Sequence, residues 1–400
     1  MFKRDVTAHL LELTSHFGSL DDPRHPRGLR QRLVDIVTIS VLAALCAAKT
    51  HALIHPCASS RSEWLKGCLR LPPGIPSQVT FERVFEIINP GWQRLFLDRL
   101  DQLPLEKLPE GEREVVALDG KTSRSSASPA LAARHTVSVY SVQHARLLRA
   151  ASVPGKTNEI TVLPELIRVV APVEAIITTD AVGGQKEVVA AIREIPQDDD
   201  LLALKGNHPI LELDVHWLFA THDRDGWDGV DHSVFHGEER VHGRLERREG
   251  WLLHDLSVME RAGQWDGLRA VVRVRATRTI GDRRSVENRN DLTSLPDEAR
   301  EALHAARQHL GIENGLHWLL DVVFRDDASK VKQRNARQNW VTLRHLAITV
   351  QRRKSSESAS LESKRFRAAL NSTYPDELTD FAGVLPDAVK SGRSWFPVPC

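Results

Sequence analysis

At Glu114 the apolar residues of this 400-residue chain stop recurring every three or four positions and begin to fall in short runs and alternations. Before that point the pattern is helical. Val6 to Phe17 keeps helical spacing up to the break Asp21-Asp22-Pro23-Arg24-His25-Pro26-Arg27-Gly28. Val34 to Ala48 is an apolar stretch that suits a buried helix. At 15 residues, with Asp35, Thr38 and Ser40 inside it, it falls short of the ~20 needed to span a bilayer. Ser77 or Thr80 can cap the next helix, where Phe81, Val84, Phe85 and Ile88 return at three- and four-residue steps.

After Glu114 the elements change type. Val115-Val116-Ala117-Leu118 is an apolar run stopped by Asp119-Gly120, as at a strand end. Thr136 to Val142 alternates, and Leu147 to Val153 makes a third strand. Helix, strand, helix, strand then follow over Glu159–Val170, Ala175–Asp180, Gln185–Ile195 and Leu201–Lys205. Strands interleaved with helices predict an α/β layer with a mixed sheet. The expected division is a helical unit over 1–103, a linker over 104–113, an α/β unit over 114–354 with a strand-rich insertion near 225–295, and a polar tail over 355–400.

Composition bounds the partners only loosely. The 41% apolar and 27% charged residues belong to a globular chain, and Lys+Arg 54 against Asp+Glu 53 leaves +1, so electrostatic arguments must be local. The four cysteines form no CxxC pair, which points to a reduced, cytosolic setting. His51, His55, Cys57 and Cys68 match no structural zinc spacing.

Asp119 and Asp180 both close apolar strands. Carboxylates at the ends of neighbouring strands repel one another unless a cation lies between them, and Mg²⁺ accepts such a sparse oxygen set. Turn chemistry or helix capping accounts equally for either residue taken alone. Glu313, in an otherwise apolar helical stretch, is the candidate third acid. Glu298, Glu301, Asp321, Asp326 and Asp327 lie nearby, and periodicity does not choose among them.

Six segments occur in one order: Val116 to Thr122, Asn158-Glu159-Ile160, Asp180 to Gln185, Leu204 to Asn207, His242 to Arg248, and Ile312 to Trp318. This series resembles the DDE transposases of bacterial insertion sequences, in particular the group of H-repeat-associated proteins. Asp22-Pro23-Arg24 and Ile75 to Thr80 resemble that group's helical leader, so the likeness runs from about Phe17 to Ala347. Three departures stand out: Arg307-Gln308-His309-Leu310 lacks an aromatic after the His, no Tyr-Tyr precedes that helix, and the acidic pair after Phe324 is Asp326-Asp327.

The resemblance implies a ribonuclease-H-like catalytic core carrying a β-rich insertion, preceded by an all-helical N-terminal domain. It implies that Asp119, Asp180 and Glu313 hold two Mg²⁺ (or Mn²⁺) ions, and that the reaction is cleavage of element ends followed by strand transfer into target DNA. A homodimer paired on two ends, in the bacterial cytoplasm at the nucleoid and away from membranes, is the expected setting. The other readings are a catalytically inactive or domesticated DNA-binding protein and a hydrolytic nuclease of the same fold.

Basic segments supply the expected DNA contacts. Ala328 to Lys354 holds Lys330, Lys332, Arg334, Arg337, Arg344, Arg352, Arg353 and Lys354 with no acid, against the alternative of a solvated helix face. Arg307 joins this set. His242, Arg244, Glu246 and Arg248 fall two apart, so a strand puts them on one face, as a phosphate-contacting ribbon or as a cross-strand ion-pair ladder. Lys121 and Lys205, just past strand ends, reach phosphate or solvent. A smaller basic cluster, Arg24, Arg27, Arg30 and Arg32, touches terminal-repeat DNA or forms a plain surface loop. Asn158, Gln185, Asn314, His317 and Trp318 are expected to support the acids.

Overall fold

A computed structural model describes residues 14, 17–101, 107–123, 133–153, 159–172, 174–241, 244–296, 298–329, 331, 333–353 and 359–371. The expected helix over Val6–Phe17 lies outside this set except for Thr14 and Phe17.

The first helices are short and oily. They are α1 (Leu33–Leu45), α2 (Ile54–Ser59), α3 (Ser62–Cys68), α4 (Gln78–Ile87) and α5 (Gln93–Asp101). Helix α1 has no polar face: all its residues but Val34 are buried, and its Asp35 is held by Arg32 at 2.6 Å. Of the two candidate caps for α4, Ser77 is the one used, its hydroxyl accepting from the Thr80 N–H at 3.3 Å.

Then come β1 (Glu114–Ser123), β2 (Arg134–Ser141), β3 (Arg146–Val153), α6 (Glu159–Val170), β4 (Ala175–Thr179), α7 (Lys186–Arg193), β5 (Asp199–Leu204) and α8 (Pro209–Asp225). Through β5 this is the order that the alternation predicts; helix α8 is not among the expected elements. The strand-rich stretch supplies β6 (His232–Val241), β7 (Arg244–Leu253), β8 (Ala270–Ile280) and β9 (Arg283–Thr293). It forms no separate layer. All nine strands make one mixed sheet in the order β3-β2-β1-β4-β5-β9-β8-β7-β6, with β1, β4 and β5 parallel. Strand β4 (Ala-Ile-Ile-Thr-Thr) is buried along its whole length, as a central parallel strand with both faces covered must be.

Helix α9 (Ala299–Ile312), a π-helical turn (Glu313–His317) and α10 (Trp318–Val322) cross one face of this sheet; α6 and α7 cover the other. Helices α11 (Arg334–Arg353) and α12 (Leu361–Leu370) close the fold.

Two boundaries differ from the sequence reading. The N-terminal helices share one core with the π-turn, α10 and α11, through Ile36, Phe81, Leu316, Trp340 and Leu346. The Asn339 side chain accepts from Trp92 Nε1 at 2.9 Å and donates to the Phe85 and Ile88 carbonyls, so α11 binds that unit by specific polar contacts as well. Part of the stretch expected as a polar tail is α12. Its buried Arg365 guanidinium donates to the carbonyls of Ala44 and Ala48 at the end of α1, satisfying acceptors that a helix end leaves open. A composition-based reading counts that arginine as surface charge.

Candidate functional site

Strand β1 pairs with β4 in parallel up to Leu118–Thr179, and the next residues are Asp119 and Asp180. The two aspartates therefore follow the last β1–β4 pair side by side, where strands lie ~4.8 Å apart. Asp180 follows the end of β4, whereas Asp119, expected to close its strand, lies inside β1, which runs on to Ser123 paired with β2. Both are in phase with residues under α9. Val115 and Ile176 pack into the cluster beneath that helix, and Thr178 Oγ1 meets His309 Nδ1 of α9 at 2.9 Å.

The Asp180 carboxylate is fixed by its own turn, with Oδ1 accepting from the Val182 and Gly183 N–H groups at 3.0 Å each. Gln185 spans the same turn, its amide donating to the Val182 carbonyl at 3.3 Å. Asp119 Oδ1 accepts from the Gly120 N–H at 2.7 Å, and its Oδ2 is 3.4 Å from His317 Nδ1. Burial alone would raise the Asp119 pKa. The hydrogen bond and positive field of His317 and the Gly120 N–H outweigh burial and hold it below the ordinary aspartate value. His309 itself is pushed down to about 4 by burial, so it sits neutral against Thr178.

Glu313 lies one turn from each of these histidines, between the one on β4 and the one on β1. It is exposed and begins the π-helical turn, an irregularity common where a helix serves a site. Close approach of this turn to the sheet depends on Gly315, where a Cβ would stand 2.6 Å from the Tyr140 hydroxyl. Asn314 and Trp318 beside it are exposed.

Several expected DNA contacts are not surface cations. Arg337 and Arg344 are buried at 2% and 1% exposure, and Arg344 is paired with Asp326. They are corrected to interior groups of α11, because that helix is a core element whose cations turn inward to acids and carbonyls. Lys121 Nζ contacts both Asp321 oxygens at 2.7 Å. Arg307 pairs with Glu239; Glu246 takes both Arg248 and Arg244 (the latter at 3.0 Å); and Arg248 also reaches Glu239 at 3.7 Å. The two-residue spacing thus builds an ion-pair ladder on one face of β7. Lys205 and Arg334 are exposed. Asn158, His242, Lys330 and Lys332 lie outside the described residues.

Asp321, Asp326 and Asp327 form the one group of three such acids among the described residues whose ligand atoms lie within 4.8 Å of one another. Their lone pairs are largely spent: Lys121 holds Asp321, while Ser123 (2.6 Å) and Arg344 hold Asp326. The arrangement reads as a charge-balanced knot tying α10 and the turn after it to β1 and α11. The sequence signal for it was present, as an acidic pair followed by an acid-free basic stretch, but only folding shows that the two neutralise each other. A buried His135–Glu159 pair under Gly120 also escaped the reading of single motifs. A Cβ at position 120 would overlap His135 and stand 2.7 Å from the Glu159 carboxyl, so glycine is required there.

Residues 110–350 match the family of the transposase DDE domain, and residues 14–97 match the family DDE_Tnp_1-associated. A match over more than half of the chain shows the class: this is an enzyme of the transposase class, whose substrate is DNA. The chain belongs to the DDE transposase family. It is similar to the "Putative transposase YncI" of Escherichia coli O157:H7, with 29% identity over 92% of this chain and 94% of that protein. The "H repeat-associated putative transposase YhhI" of Escherichia coli (strain K12) is 28% identical over 91% of this chain and 97% of its own length. An uncharacterized protein in the dhlA 3'region of Xanthobacter autotrophicus is 32% identical over 70% of this chain and 92% of that protein. No helix among the described residues is long and apolar enough to cross a membrane.

Proposed function

We propose that the chain cleaves the ends of its insertion element and transfers the strands to target DNA, with Asp119, Asp180 and Glu313 as the catalytic acids of a ribonuclease-H-like core. One observation carries this reading. Two aspartates directly follow the last pair of adjacent parallel strands on one face, and the helical turn that begins at Glu313 touches the first of them through His317 at 3.4 Å.

The three residues are hard oxygen donors, and Asp119 is held in its charged form, so the set fits Mg²⁺ or Mn²⁺. Such ions, when bound, would activate a water or 3′-hydroxyl and stabilise the leaving oxygen. The chain's own work is positioning. The Val182 and Gly183 N–H groups orient Asp180, Gly120 and His317 orient Asp119, and the neutral His309 anchors α9 on Thr178. Pairing of two element ends calls for a homodimer working at the nucleoid.

The test is a labelled duplex carrying the inverted repeat that flanks the gene, with purified full-length protein and Mg²⁺. Nicking and joining are expected. Asp119→Ala, Asp180→Ala and Glu313→Ala should each lower both by at least about a thousandfold while duplex binding persists, and chelation should do the same. Cutting without joining would make the protein a nuclease of this fold, and binding without cutting an inactive relative. Full activity in Glu313→Ala would remove Glu313 from the site.

A further inference from the structure

We propose that one face of the β6–β9 arm is a phosphate-binding track for the DNA duplex leaving the scissile position, held chiefly by Arg278 and Arg283. This deepens the transposase reading and rests on it.

The β5–β9 ladder stops at Leu204–Asn290. That is the catalytic end of the sheet, since β5 runs parallel to β4 and β1, where Asp180 and Asp119 follow the last β1–β4 pair. Strand β9 does not stop there. It stays paired with β8 back to Arg283–Ile280, and β7 and β6 keep pace through Arg244–Ile280 and Val241–Arg244. The arm therefore reaches about seven residues, on the order of 23 Å, past the catalytic end.

Its two faces differ in what they look toward. Val274 and Leu252 pack under α9, and the β-bridge register runs unbroken outward from them. By the two-residue alternation of a strand, Arg278 and Arg283 share the side on which α9, Asp119 and His317 lie. The opposite side continues the face covered by α8 and carries Arg240 and Arg284.

On the α9 side past the end of β5, Arg244, Arg248, Arg278 and Arg283 stand with Glu239, Glu246 and Glu287. Arg278 stands opposite Glu246, but Glu246 is already shared by Arg244 and Arg248. Arg278 and Arg283 are exposed, and neither has an acid partner among the described residues. Nearer the acids, Arg289 lies on the same side, close enough for its charge to depress His309, but it is held by Asp291 at 2.6 Å and is not part of the free charge. Past Arg289 and the exposed Glu287 on the same face, Arg278 and Arg283 place the free positive charge at the arm's tip, roughly 20 Å beyond the end of β5. That span matches about six base pairs of duplex at 3.4 Å each, so it suits a polyanion lying along the arm. Arg337 and Arg344 of α11, which the chain order suggests for this task, are buried, whereas Arg278 and Arg283 are exposed.

The experiment is an anisotropy titration of the inverted-repeat duplex with full-length protein across a salt series. It compares wild type, Arg278→Ala with Arg283→Ala, and Arg240→Ala with Arg284→Ala from the opposite face. Removing two phosphate contacts should flatten the slope of log K against log salt by roughly 2 and weaken binding at least tenfold. The opposite-face pair should behave as wild type, and all three proteins should melt together. If the wild type binds and cuts but the Arg278/Arg283 pair keeps its slope and affinity, the track is overturned and the transposase reading stands. Equal losses from both pairs overturn the face assignment. A wild type that neither binds nor cuts the duplex overturns both readings.

Discussion

Lys121 Nζ stands 2.7 Å from both carboxylate oxygens of Asp321, which ties the strand carrying Asp119 to the helix that follows Glu313. A lysine two residues past the proposed catalytic Asp119 invites a phosphate-binding role, but this one is spent inside the protein. Its side chain is only 11% exposed.

Lys121→Met should therefore lower cleavage about tenfold while leaving duplex affinity and its salt slope unchanged. A phosphate contact would instead cost about 0.9 of slope. Asp321→Asn should match it, and the double variant should be no worse than either single one, as expected of groups acting as a unit. Asp321 is partly exposed, so the effect on stability should stay near 1 kcal/mol. Activity with thermal melts of the four proteins checks this.

Arg344→Met should be far more costly. It leaves Asp326 buried at 1% exposure with Ser123 as its main remaining partner, and breaking a buried pair costs about 3–5 kcal/mol. Burial already pulls the Arg344 guanidinium down to about 10 despite the acid beside it. Denaturant unfolding should show the loss, and Arg344→Met with Asp326→Leu should recover much of it. A melt unchanged in Arg344→Met would contradict the pairing.

His345 should make the fold acid-sensitive. Burial pushes its pKa down to about 3, against the pull of Asp326, with His317, Arg344 and Lys121 adding to the lowering, and its Nδ1 has no hydrogen-bond partner. The unfolded chain takes up this proton near pH 6.5 and the folded one does not, so stability falls as pH drops from about 6.5 toward 3. Between pH 6.5 and 5 this amounts to about 2 kcal/mol. His345→Leu should flatten the pH dependence of unfolding by that amount while changing little at pH 7.5. Parallel curves for the two proteins would sink the assignment.

The element order after Glu114 was legible because a change of hydrophobic period is local, written within five to ten residues. So were Asp180 and the Ser77 cap, each a residue type at an element end, whereas Asp119, read as a strand stop, lies inside β1, because pairing with β2 carries the strand on to Ser123. The roles of the cations were not. Arg337 and Arg344 read as surface charge because their compensating acids and carbonyls come from other segments, and the tail's polar composition hid Arg365 for the same reason. Lys205 and Arg334, with no acid partner among the described residues, are exposed.

Sequence by itself thus determined which segments are helix or strand, and the ordered motifs that mark the family. Tertiary structure alone decided that nine strands form one sheet, that the N-terminal helices close over α11, and which charges face water. Periodicity is set by neighbours along the chain, whereas desolvation and ion pairing depend on groups hundreds of residues apart, such as Lys121 with Asp321 or Arg365 with Ala44.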